Sequence, residues 1–93
     1  MIKVFRMNDC DWVAAETSED AVVYYLDMIS AKNTPEDRFE YLEEPIEALG
    51  DDDMKKLQFH DPEAGTKHSF ADQLEAEKEA GRKFPSFFAS TEY

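Results

Sequence analysis

Apolar and polar positions alternate at the start of the chain. Ile2 and Val4 fall on one face and Phe5 and Met7 on the other, which predicts a strand over 2–7 with both faces partly covered. Asn8-Asp9-Cys10-Asp11 is turn chemistry, and Trp12 to Glu16 reads as a second strand, so the two predict a hairpin. The period then changes. Val22, Tyr25, Leu26 and Ile29 recur at i, i+3, i+4 and i+7, one apolar stripe of a helix over about 18–31. Thr17 is its N-cap, and Glu19 and Asp20 lie at the positive end of the helix dipole.

Asn33-Thr34-Pro35 ends that helix and starts another. Thr34 is the cap, Pro35 the first helical residue, Glu36 and Asp37 fill the first turn, and Phe39 and Leu42 are the expected buried residues. Pro45 limits its length, and Ile46 to Leu49 predict one further turn closed by Gly50. Asp51-Asp52-Asp53 reads as a solvated turn. Met54 to His60 reads as a third strand and Asp61 to Gly65 as a tight connection. Ser69 caps a last helix that stops at Gly81, and Phe84 to Ser90 forms a final strand, with Pro85 keeping its start at an edge or bend. The order predicts an α+β fold: a single domain over 1–93 with a small, mostly antiparallel sheet of about four strands and two or three helices packed on one face.

Composition narrows the function. The 93 residues carry a formal net charge of −12, which opposes direct binding to nucleic acid and to anionic membrane surfaces. At 42% hydrophobic and 13% aromatic residues, the chain is too apolar for a disordered acidic tail. No stretch approaches the ~18 apolar residues of a membrane span. Residues 1–9 lack a signal-peptide apolar region, and the lone Cys10 allows no intrachain disulfide, so a reducing cytoplasm is the expected compartment.

The charge is concentrated. Residues 36–63 hold eleven acids against three bases, a net −8 of the chain's −12. Such a segment is either a solvated face that keeps a small domain soluble or a field that steers a basic partner. On the second reading the partner-binding residues are Glu36, Asp37, Phe39, Glu40, Tyr41, Glu43, Glu44, Glu47, Asp51, Asp52 and Asp53, with Phe39 and Tyr41 as apolar anchors inside a charged rim.

Candidate chemistry adds little. Cys10, His60 and His68 match no zinc spacing, and the Asp51–Asp53 run lacks the alternating ligands and central glycine of a calcium loop. Cys10 lies between Asp9 and Asp11, whose charges oppose a thiolate nucleophile. There is no glycine-rich phosphate loop and no nucleophile elbow. The expectation is therefore no enzyme, no cofactor and no metal. Phe84, Phe87, Phe88 and Tyr93 crowd the C-terminus, and the adjacent Phe87 and Phe88 point to opposite faces of a strand, so that either one of them is available to a partner or helices cover both faces.

Phe5-Arg6-Met7-Asn8-Asp9-Cys10-Asp11-Trp12 with Ala14-Ala15, Gly65-Thr66-Lys67 before a helix, and Phe84-Pro85-Ser86-Phe87-Phe88-Ala89-Ser90-Thr91-Glu92-Tyr93 at the end carry a resemblance. The chain resembles a group of short acidic proteins of bacteriophages and prophages. The pattern spans most of the chain, with little in residues 32–56. It implies a mobile-element context in a bacterial host cytoplasm and no catalytic residue. By analogy of size and charge with anti-CRISPR proteins, the expected function is a non-enzymatic inhibitor of host defence. Its acidic face would block the basic nucleic-acid-binding surface of a host protein. The alternative is a general interaction module working through the hairpin loop and the C-terminal aromatics.

Overall fold

A computed structural model describes residues 1–61 and 66–90. The elements are β1 (Lys3–Arg6), β2 (Asp11–Ala15), α1 (Ser18–Met28), α2 (Pro35–Tyr41), α3 (Asp51–Lys56), β3 (Gln58–Asp61), β4 (Thr66–Ser69), α4 (Phe70–Glu79) and β5 (Ser86–Ser90). The fold is α+β. The described strands form two antiparallel sheets, β1-β2-β5 and β3-β4. The chain parts into two compact units, one of Met1–Ala48 with the segment from Phe84 onward, the other of Leu49–Lys83.

The first unit is organised by the hairpin. Val4 pairs with Ala14 and Phe5 with Val13, so neighbouring side chains fall alternately on the two faces of the sheet. Val4, Phe5 and Met7 are all buried, as expected of a strand covered on both sides. On one face Phe5, Met7, Val13 and Ala15 join Ala21, Val22, Tyr25 and Leu26 of α1, with Leu42 closing the cluster. Each fully buried side chain of Leu or Val size contributes about 1.5–3 kcal/mol. β5 completes the sheet with a bulge: Trp12 lies opposite Ala89 and Val13 opposite Phe87, so Phe88 is the additional residue.

Caps explain the helix boundaries. The Thr17 and Thr34 hydroxyls accept from the N–H groups of Asp20 and Asp37, three residues on. α1 ends at Met28, short of the expected 31, because Ser30 turns left-handed at φ 61°. Ala31 N then donates to Leu26 O and Ser30 N to Asp27 O, a Schellman closure with serine in the usual glycine position.

In the second unit Ser69 caps α4 as expected, and Gly81, at φ +78°, closes it by the same pair of bonds. Phe70 and Leu74, one turn apart, are buried. So is the carboxylate of Glu77. Gln73 Nε2 donates to one of its oxygens at 2.8 Å, and Arg82 Nη1 stands 3.4 Å from the other as an ion pair rather than an aligned hydrogen bond.

Several expectations need correction. Asp51–Asp53 form the first turn of α3 instead of a loop, and Met54–Lys56 continue that helix, so the third strand starts only at Gln58. Its alternation of Leu57 and Phe59 was too short a pattern to separate strand from helix end. β4 has no counterpart among the expected strands, because Thr66-Lys67-His68-Ser69 carries no apolar alternation. The strands therefore divide between two sheets. Ile46–Leu49 make no helical turn; Ala48 bridges to Phe5 at the outer edge of β1. The expected connection at Pro62–Gly65 lies outside the described residues.

Candidate partner-binding surface

The surface is built where the hairpin loop meets the end of α2. Asn8 is its fixed point. Its Oδ1 accepts from the N–H groups of Cys10 (2.9 Å) and Asp11 (3.0 Å), which shapes the loop. Its Nδ2 donates to the Tyr25 hydroxyl and to the Tyr41 carbonyl, both at 2.9 Å. The Tyr25 hydroxyl donates in turn to Asp11 Oδ2 at 2.5 Å. One amide thus joins the loop, α1 and the last turn of α2. Burial, with the bond to Asp11 second, pushes the Tyr25 hydroxyl up to about 12.

Two further ties hold the same junction. Glu43 N donates to Met7 O at 2.8 Å, and the Arg6 guanidinium bridges the carboxylates of Glu43 and Asp9. On the far side of α2, Arg38 grips Glu44 through Nε at 3.1 Å and Nη2 at 3.4 Å, and Nη1 donates to Asn33 Oδ1. The bond from Arg38 holds the Glu44 carboxyl below the usual carboxylate range. Asp37 accepts from Lys32 N at 2.7 Å. These exposed pairs contribute little to stability and serve to orient the segment.

The outward stripe of α2 follows from its spacing. Glu36, Phe39 and Glu40 recur at i, i+3 and i+4, and all three are exposed. Phe39 is 89% exposed, which corrects its expected burial; the anchor of this segment is Leu42, 5% exposed. Tyr41 is 40% exposed. Shallow grooves flank the Phe39 ring. The larger, about 810 Å³, is bounded by Pro35, Arg38, Leu42 and Glu44. The other, about 440 Å³, lies between the loop residues Asn8–Asp11 and Glu40, Tyr41 and Glu43.

Comparison of the chain with protein-family models, with curated proteins and with solved structures finds no match.

Of the expected binding residues, Glu36, Asp37, Phe39, Glu40, Tyr41, Glu43, Glu44 and Glu47 lie in the first unit, and Asp51, Asp52 and Asp53 in the second. Glu43 and Glu44 are paired with Arg6 and Arg38, whereas Glu36, Glu40 and Glu47 form no ion pair among the described residues. The triplet has a local explanation. It fills the first turn of α3 and Lys55 and Lys56 fill the last, matching both ends of the helix dipole.

The C-terminal aromatics are not available as expected. Phe88 is 4% exposed and Phe87 packs against the core, its N–H donating to the Tyr24 hydroxyl at 3.1 Å. Tyr93 lies outside the described residues. The clamp of Asn8, Arg6 and Tyr25 is not among the expected site residues. Asn8 shows as a turn former in the sequence, but its reach to Tyr41, 33 residues on, leaves no local signal. Among the described residues, no three His, Cys, Asp or Glu side chains gather as a metal site, and no helix is long and apolar enough to cross a membrane.

Proposed function

We propose that the chain is a non-enzymatic, phage-type inhibitor of host defence. It docks through the α2 stripe and the hairpin loop on a basic surface of a host protein and blocks nucleic acid from that surface. One observation carries the reading: a phenylalanine 89% exposed between two glutamates, Glu36 and Glu40, that have no ion pair among the described residues. Like charges at i, i+4 cost a short helix a few tenths of a kcal/mol, and an exposed ring gains nothing in folding. Glu36 is offset by its place in the first turn, but Glu40 and the exposed ring have no such compensation, which fits a binding role. An apolar anchor inside a charged rim is how interfaces combine tightness with fast encounter. The net charge of −12 and the resemblance to short acidic phage proteins fit a cationic host target. Of the alternative interaction surface only the loop half is retained, since Asn8–Asp11 line the smaller groove while Phe88 is buried.

The test is capture from a bacterial lysate at low and high salt, followed by a nucleic-acid competition assay on the recovered protein. The intact chain is expected to displace nucleic acid at low salt. Phe39→Ala should lose roughly 30-fold or more in affinity, as for an interface hot spot, while its circular dichroism stays unchanged. A recovered protein that keeps its full nucleic-acid binding at saturating inhibitor overturns the proposal.

A further inference from the structure

Resting on that reading, we propose that the smaller groove beside Phe39 takes an arginine side chain of the partner, stacked on the Phe39 ring and hydrogen-bonded by Glu40. The ring supplies an exposed aromatic face at the groove's edge, and Glu40 adds a carboxylate with no ion pair among the described residues. A cation over an aromatic face is attracted by the ring quadrupole, and a neighbouring carboxylate adds a charge-assisted bond. The same rim already holds one guanidinium: Arg6 bridges Asp9 and Glu43. Arg6 reaches both carboxylates through Nη2 alone, so the preference rests on the exposed ring, over which a planar guanidinium stacks where the ammonium of lysine is a point charge. Charge selects among occupants. A second copy of the chain would bring another −12 to an acidic rim, and nucleic acid or anionic lipid would be repelled likewise.

Two probe peptides test this, one of alternating arginine and glycine, the other of alternating lysine and glycine, titrated into the full chain at low salt and followed by NMR shifts of Phe39 and Tyr41. The arginine peptide is expected to bind about 2- to 5-fold more tightly than the lysine peptide. Phe39→Leu, at an exposed position, should retain the fold and erase that preference. Glu40→Gln should weaken both peptides. Equal affinity of the two peptides for the intact chain overturns the assignment, as does a preference that survives Phe39→Leu. A Phe39-dependent dimer in sedimentation without arginine preference assigns the groove to a second copy and also overturns it. The peptide readout does not involve nucleic acid. Arginine preference without displacement from the host protein sinks only the inhibitor reading, and Phe39-dependent displacement without arginine preference sinks only this one.

Discussion

α2 and α3 are both short, both carry acids in the first turn and neither buries a residue of its own, yet their charges have different causes. In α3 the acids fill the first turn and the lysines the last, so the helix dipole accounts for every charge. In α2 the first-turn acids are also favourable, but Glu40 comes a turn later beside Glu36 and an exposed phenylalanine. Local energetics explains Asp51–Asp53 and Glu36 and does not explain Phe39 and Glu40. Equal acidity along a sequence is therefore unequal evidence for a partner. The residues to follow are those that the helix would be more stable without.

The comparison breaks most easily at the anchor of α2. Leu42 is the buried link between this helix and the core shared by the sheet and α1. Leu42→Ala is expected to cost about 2–5 kcal/mol in chemical denaturation and to abolish partner binding, because the stripe loses its seat. Met54→Ala in α3, where no helical residue is buried, should cost much less. Similar losses for the two would mean that α2 has no special attachment.

Charge removal sharpens the contrast at smaller amplitude. Asp51→Asn, Asp52→Asn and Asp53→Asn together should lower stability by about 1 kcal/mol through lost dipole interactions and leave the association rate with the partner nearly unchanged. Glu40→Gln, which relieves the repulsion and leaves Glu36 in its favourable first-turn place, should raise stability by a few tenths of a kcal/mol and slow association several-fold at low salt. Denaturation midpoints and stopped-flow rates read the two effects separately. Equal slowing by both variants would return the aspartate triplet to the interface.

Much of this architecture is legible in the sequence. The caps Thr17, Thr34 and Ser69 act three residues on, the stripe of α1 shows in its period, and the hairpin shows in alternation around turn residues, all of which sequence patterns encode directly. What is not legible lacks such a pattern or is long-range. β4 has no apolar alternation and exists through its pairing with β3. Ser30 ends α1 in a conformation usually left to glycine. Phe39 and Leu42 look equally buried as letters, and only the packing against Tyr25 and its neighbours sends one inward and leaves the other in solvent. The candidate surface was legible as a composition of acids and aromatics. The clamp that shapes it, through Asn8, joins residues up to 33 positions apart.

That clamp gives the last and smallest expected effect, confined to alkaline solution. Tyr25 is raised from its ordinary value near 10 to about 12, because burial and the Asp11 carboxylate disfavour the phenolate. Between those two values the unfolded chain has released the proton and the folded chain has not. Proton binding thus favours the native state below pH 10, and this contribution is lost as pH rises through about 12. Tyr25→Phe removes the titration, so the difference between its thermal stability and that of the intact chain should shrink over this range. Because Asn8 connects the Tyr25 hydroxyl to the Tyr41 carbonyl, hydrogen exchange at residues 41–43 should rise with ionisation, while that of α3 follows its own course. A pH-independent difference between the two proteins would show that the hydroxyl holds no proton in preference, and the end of α2 would then owe its position to Leu42, Arg6 and the bonds of Asn8 and Glu43 without the Tyr25 proton.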